Sequence, residues 1–95
     1  MYEITDYTKE RAKLINVNVK SSTRKHKKLD VYNNDNYITS VGDNRYLDYP
    51  NYIKMYGIEY ANKRRDLYYK RHQKEDLIDD NGHFTKSFYA KYLLW

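Results

Sequence analysis

Cysteine is absent from this chain of 95 residues, which excludes disulfide bonds and thiolate metal sites. Glycine occurs three times and proline once. The sequence has neither a phosphate-binding glycine loop nor a nucleophile elbow. The three histidines, His26, His72 and His83, are widely spaced and form no metal-ligand pattern. With no catalytic signature, we expect a protein that is not an enzyme and that uses no cofactor and no metal.

Long hydrophobic runs are also missing. The segment 1–13, MYEITDYTKERAK, lacks an apolar core of signal-peptide length, and no later run could span a bilayer. We therefore expect a soluble protein made inside a cell, with no membrane partner and no small-molecule substrate.

Tyrosine and positive charge are the abundant features. Thirteen residues are tyrosine, which packs its ring and keeps a polar tip. A chain of this length has a thin core, so a partner or oligomer is expected to supplement it. The net charge of +5 favours contact with nucleic acid, an anionic surface or an acidic protein face, without choosing among them. AT-rich coding would give the same amino-acid bias, so the lysine count carries less weight.

Alternating apolar residues predict three strands in the first half of the chain. Residues 1–13 are expected to be an N-terminal arm, either flexible or forming a short helix capped by Thr5 or Asp6. Leu29 and Val31 are predicted to face inward on the second strand. The strands are predicted at 14–20, 28–32 and 37–41, separated by a basic loop at 21–27 and a turn at 33–36. The shortest connection of these strands is an antiparallel meander.

The longest segment with a helical period is 58–75, in the second half. A short helix at 51–56 is predicted after Pro50, and a last helix at 84–95, capped by Thr85 or Asn81. We expect residues 14–95 to form a single α+β domain, in which a three-stranded antiparallel β-meander packs against the long helix and the C-terminal helix.

The long helix is predicted to have two different faces. The face expected to pack on the sheet comprises Ile58, Ala61, Arg65, Tyr68, Tyr69 and His72. The opposite, cationic face comprises Lys63, Arg64, Lys70, Arg71 and Lys74. The first face can join the core, and the second can meet an acidic partner or remain solvated.

Arg65 and His72 are charged residues on the face that is predicted to pack. A buried arginine needs a carboxylate or several carbonyl groups. Asp48 or Asp43, from the preceding loop, could supply the carboxylate. We interpret Asp48, Arg65 and His72 as a structural polar network; a site for a phosphate or an acidic side chain is the alternative.

Tyrosine and arginine are the residues most enriched in protein interfaces, and they predict a partner-binding surface here. The predicted residues are Tyr60, Lys63, Arg64, Lys70 and Arg71 on the long helix, and Arg45, Tyr46, Tyr52 and Tyr56 before it. An alternative is contact with nucleic-acid phosphates through Arg24, Lys25, Lys27, Lys63, Arg64, Lys70 and Arg71.

The acidic turn 76–80 is a weaker candidate for a functional site. Asp76, Asp79 and Asp80 lack the spacing of a calcium loop, and a divalent-ion site at Asp79, Asp80 and His83 is not favoured. A further, weaker alternative is that this turn binds and inhibits a host enzyme.

A larger pattern covers about residues 40–95: Gly42, Asp48-Tyr49, Arg64-Arg65, Tyr68-Tyr69, Arg71-His72, Gly82, Phe84 and Leu93-Leu94-Trp95. It resembles a family of small uncharacterised proteins of large DNA viruses and tailed phages, including crAss-like phages. The resemblance supplies no catalytic residues, but implies a virion-associated protein.

On this basis the sequence predicts a small auxiliary capsid protein, of the cement or decoration type, that binds major capsid subunits or another virion protein. We expect it in the virion capsid after synthesis in the host cytoplasm. The alternative is a basic viral protein that is packaged with the genome or acts on it. Leu93, Leu94 and Trp95 are expected to close the core, or Trp95 to insert into a neighbouring subunit.

Overall fold

A computed structural model describes every residue from Met1 to Trp95. The chain contains three strands and four helices in the order α1, β1, β2, β3, α2, α3, α4. It folds as two compact units, Met1–Tyr46 with the three strands and Leu47–Trp95 with three helices. The predicted α+β class is confirmed. None of the helices combines the length and apolar character that crossing a bilayer requires.

The first helix, α1, is Asp6–Leu14. The residues before it also belong to the first unit. The Thr5 side chain accepts a hydrogen bond from the Thr8 amide, which caps the helix, so Thr5 has the predicted capping role. The Tyr2 carbonyl accepts a hydrogen bond of 2.5 Å from the Ser21 hydroxyl. Residue 13, the predicted end of the N-terminal arm, lies inside α1.

The three strands form the antiparallel meander that the sequence predicts, in the order β1-β2-β3. They are β1, Asn18–Ser21, β2, Lys27–Asn33, and β3, Asn36–Asp43. Leu29 pairs with Val41 across β2 and β3, and both are fully buried, as is Val31. The inward placement of Leu29 and Val31 is confirmed.

The first strand begins later than predicted. Leu14 ends α1, and Asn16 follows it with φ 56°, in the left-handed region that asparagine tolerates. Because α1 and this turn take residues 14–16, regular pairing starts at Asn18, opposite Tyr32. Alternation of apolar residues alone placed the boundary too early.

The second unit contains α2, Tyr49–Tyr56, α3, Ile58–His72, and α4, Lys86–Leu94. Asp48 caps α2 and Pro50 occupies its first turn, where its missing N–H costs nothing. Gly57 separates α2 from α3 with φ 91°, a backbone angle that favours glycine. Thr85 caps α4 by accepting from the Phe88 amide, so one of the two predicted caps is the actual one.

The core of the second unit is partly aromatic. Its buried residues are Tyr49, Ala61, Tyr68, Tyr89, Leu93 and Leu94. Ala61 and Tyr68, seven residues apart, define the buried face of α3. Ile58 was predicted on that face but is 50% exposed. The first residue of a helix that follows a sharp turn at Gly57 does not share the packing of the later turns.

Candidate binding surface

The turn between α2 and α3 exposes an unusual amount of apolar surface. Met55 is 61% exposed, Tyr56 58%, Ile58 50% and Tyr60 44%. We call these four residues the α2–α3 corner. Scattered apolar residues are normal on protein surfaces, but several large ones grouped together mark an interaction site.

Two residues of the corner belong to a cluster of three tyrosine rings, Tyr52, Tyr56 and Tyr60, which we call the tyrosine cluster. The ring centroids of Tyr52 and Tyr56 are 6.2 Å apart, those of Tyr52 and Tyr60 5.8 Å, and those of Tyr56 and Tyr60 5.0 Å. These separations are favourable for aromatic pairs. Mutual contact therefore holds the partly exposed rings in place.

Arg64 lies beside the tyrosine cluster, one turn after Tyr60. Its guanidinium carbon is 5.4 Å from the ring centroid of Tyr52, a cation–π contact. Its Nε atom is buried and has no hydrogen-bond partner. The sequence analysis placed Arg64 on the cationic face, opposite the face that packs. That placement was wrong because, at 100° per residue, Arg64 lies only about 40–60° from Tyr68 and Ala61, at the edge of the buried face.

The structure brings together four residues of the predicted partner-binding set: Tyr52, Tyr56, Tyr60 and Arg64. The other helix residues of that set, Lys63, Lys70 and Arg71, are exposed along α3.

Arg45 and Tyr46 belong to the first unit. Arg45 donates from Nε and Nη2 to the two carboxylate oxygens of Asp43, at 3.0 and 2.7 Å. These hydrogen bonds hold the pKa of the Asp43 carboxyl well below its usual range. The charge of Arg45 is therefore already paired within the chain.

The residues of the predicted polar network have separate contacts. Asp48 is fully buried and accepts from the backbone N and side-chain Nδ2 of Asn51, at 3.2 and 2.8 Å. Arg65 lies 4.2 Å over the ring of Tyr49, and its Nη2 is 3.5 Å from the Asn62 side-chain oxygen. Arg65 thus contacts an aromatic ring and an amide where a carboxylate was expected.

His72, the third residue of that network, ends α3. Its Nδ1 is 2.5 Å from a carboxylate oxygen of Glu75. Hydrogen bonds from His72 and Ser87 lower the pKa of the Glu75 carboxyl. The contact therefore fixes the end of α3 locally, and Ser87, in the first turn of α4, shares it.

Trp95 has contacts that helical periodicity did not indicate. Its ring stacks on Tyr68 with centroids 4.5 Å apart and planes at 9°, and it also approaches Tyr52 at 6.1 Å. Its backbone carbonyl accepts a hydrogen bond of 3.1 Å from the Tyr69 hydroxyl. Tyr52 lies in α2, Tyr68 lies in α3 and Trp95 directly follows α4. No periodicity within one helix therefore relates these three residues. Trp95 thus connects the tyrosine cluster to the buried Tyr68.

The free energy of unfolding is expected to depend on pH through Tyr68. Burial raises the pKa of its hydroxyl to about 12, above the unfolded value of about 10. A group with a raised folded pKa contributes stability that is complete below about pH 10 and is lost as the pH rises toward 12. We expect the free energy of unfolding of wild type to fall over that interval, and Y68F to lose less. Urea unfolding at several alkaline pH values measures this.

The matched control is Tyr46→Phe, because Tyr46 is exposed. Y46F should keep the alkaline loss of wild type. An equal pH dependence of Y68F and Y46F would contradict the buried position of the Tyr68 hydroxyl.

The basic residues near the β1–β2 connection are not equally available for phosphate. Arg24 lies 4.7 Å over the ring of Tyr37. Burial acts to raise the pKa of Asp30, but hydrogen bonds from Ser40 and Ser22 and the charge of Arg24 lower it overall. The charge of Arg24 is thus partly offset by Asp30. Lys25 is exposed, whereas Lys27 is half-buried at the start of β2.

The acidic turn is organised by Asp79. Its carboxylate accepts from the backbone amides of His83 and Asn81, at 3.0 and 2.9 Å, and these bonds lower its pKa. A single β-bridge joins Ile78 to Phe84 around the turn. Asp79 thus has a structural role, and the chain contains no group of three or more side chains placed to hold a metal ion.

The chain matches no protein-family model, no curated protein and no solved structure. The resemblance to viral proteins stays a prediction, and the α2–α3 corner, the tyrosine cluster and Arg64 together form the candidate binding surface.

Proposed function

We propose that this chain is a small auxiliary capsid protein that binds major capsid subunits as a cement or decoration protein. The observation that carries the binding role is the partly exposed tyrosine cluster with Arg64 at its edge. Tyrosine and arginine supply most of the binding energy in many protein interfaces. The virion context comes from the family resemblance of residues 40–95.

The arrangement of the rings supports a binding role. Tyr52, Tyr56 and Tyr60 already contact one another, so little side-chain freedom is lost when a partner covers them. Met55 and Ile58 add exposed apolar area beside the rings. A small contact surface binds one partner weakly, but identical contacts repeated over a shell bind strongly through avidity. This is the behaviour expected of a cement protein.

Purified particles test the proposal. We expect quantitative mass spectrometry of particles from the virus that encodes this chain to find it at a copy number comparable with that of the major capsid protein. The double variant Y56S/Y60S should lose most of this association, because two exposed rings of the tyrosine cluster are removed. Recovery of the wild-type chain only outside the particles would contradict the proposal.

Tyr46→Ser is the matched control. Tyr46 is also exposed, but it lies in the first unit and its ring takes no part in the contacts that define the tyrosine cluster. Y46S should remain on the particles. Equal loss for Y46S and Y56S/Y60S would show that association does not depend on the tyrosine cluster.

Nucleic-acid binding is the second candidate. One observation favours it: Lys63, Lys70 and Arg71 are all exposed on α3. Phosphate binding weakens linearly in log affinity against log salt. A steep salt dependence of binding to duplex DNA, lost on neutralising these three residues, would favour this candidate over the capsid role.

A further inference from the structure

The buried Nε atom of Arg64 has no hydrogen-bond partner within the chain. Buried polar groups almost always have a partner, and a donor left without one costs free energy. This donor lies at the edge of an exposed aromatic surface, since Arg64 contacts Tyr52 and follows Tyr60 by one turn. Because the Arg64 side chain is half-buried and lies at this edge, a rotation of the side chain toward an acceptor on a binding partner would give Nε the hydrogen bond that the chain does not supply.

We infer that Arg64 receives a carboxylate from an acidic segment of the partner protein, and that an apolar side chain beside this carboxylate packs on the tyrosine cluster. The inference deepens the proposed function and rests on it for one point, that the partner is a protein. A carboxylate accepts two parallel hydrogen bonds from a guanidinium. It thus satisfies the unpaired donor and places the neighbouring apolar side chain on the rings.

The local charges select an acidic segment. Lys54, Lys63 and Arg64 lie within or next to the α2–α3 corner, and Glu59 is the one acidic residue between them. Lys54 and Lys63 are exposed, so their charges add to the positive potential around the rings. A basic segment would meet like charges at this surface, whereas an acidic one meets complementary charges.

The surface fits a protein better than a nucleic acid or a second copy of the chain. Met55 and Ile58 present aliphatic area that bases and phosphates do not use, and methionine is enriched in protein interfaces. In a symmetric dimer the same patch meets itself, which would bring the cationic side chains of both copies together. A separate acidic protein avoids that repulsion.

A display library of random peptides tests the inference with a defined probe. The immobilised wild-type chain of 95 residues should select peptides in which aspartate or glutamate lies beside an aromatic or aliphatic residue. Synthetic copies of these peptides should bind R64Q about tenfold or more weakly than wild type, because charge-assisted hydrogen bonds are lost. Replacing the acidic residue of the peptide by its amide should cost a similar factor.

Lys63→Gln is the matched control, because it removes the same charge from an exposed neighbour. K63Q should weaken peptide binding by no more than about threefold, as for an exposed ion pair. Arg64→Lys keeps the charge but lacks Nε, and should bind more weakly than wild type. If R64Q fails to fold, the R64K variant and amide chemical-shift mapping on wild type decide, with the largest shifts expected between residues 52 and 64.

Several results would overturn the inference: selected peptides with no excess of acidic residues, equal weakening by R64Q and K63Q, or shifts that map elsewhere. Concentration-dependent dimerisation through the α2–α3 corner, or duplex DNA competing for it, would also overturn it. If the chain does not associate with particles but still selects acidic peptides, only the capsid role is contradicted, because the peptide assay needs no particle.

Discussion

Replacing Leu93 with alanine is expected to lower the free energy of unfolding by about 2–5 kcal/mol. Leu93 is fully buried in α4, next to the nearly fully buried Leu94. Truncation removes apolar surface from the core and leaves a cavity that the surrounding side chains fill only in part. In a small protein this loss is a large share of the total stability. Urea unfolding followed by circular dichroism at fixed pH measures the change.

Leu67→Ala is the matched control, since it makes the same substitution at a residue of α3 that is 49% exposed. L67A should cost no more than about 1 kcal/mol. Equal costs for L93A and L67A would show that the buried face of α4 is misassigned. A midpoint for L93A that recovers with rising protein concentration would instead support a role of this segment in assembly.

Asp48→Ala is expected to have the second largest effect, a loss of about 0.5–2 kcal/mol. The carboxylate is fully buried and accepts from the Asn51 amide at the start of α2. Alanine leaves that donor without its side-chain acceptor and removes a negative charge near a helix N-terminus. Denaturant unfolding gives the stability change, and faster hydrogen exchange of the Asn51 amide would locate it.

Two variants separate this capping role from the predicted polar network. Asp48→Asn keeps an oxygen acceptor and should lose less stability than D48A. Arg65→Met should cost only about 1 kcal/mol, because it removes a single cation–π contact between the half-buried Arg65 and the buried Tyr49. If R65M costs as much as D48A and the double variant costs no more, the two residues are energetically coupled, and the network predicted from the sequence is correct.

The elements of the fold could be predicted because their signals are local. Alternation of apolar residues gave β2 with Leu29 and Val31 inward. Pro50 marked the start of α2, and Thr85 was one of the two residues named as the cap of α4. Each of these signals depends on the backbone preferences of a few neighbouring residues. Tertiary packing agrees with those preferences at these positions.

The errors occurred where local patterns compete or where contacts join distant residues. Leu14 begins an apolar alternation, yet it also completes the last turn of α1, and the helix prevailed. Arg64 was assigned to the face opposite the packed one, although its helical angle puts it beside Tyr68 at the edge of the core. The stacking of Trp95 on Tyr68 joins residues 27 positions apart, and no periodicity within one element indicates such a contact.

The candidate surface was predicted in part. Tyr52, Tyr56, Tyr60 and Arg64 were all named from composition, but their convergence depends on the turn at Gly57, which residue type alone does not define. Arg45 was named on the same grounds, although Asp43, two residues earlier, already pairs with it. Residue chemistry thus selected the right types, and only the fold separates those that remain available from those that do not.

A single torsion at Gly57 sets where Tyr60 stands relative to Tyr56. A methyl group built at this position would meet no neighbouring atom, so the constraint is the positive φ alone and not lack of space. Because α2 carries the buried Tyr49 and α3 carries the buried Ala61 and Tyr68, a change in this torsion would move the candidate surface and the interior together. A side chain introduced at position 57 would strain this linker, and the strain would act on the interior as well as on the shape of that surface.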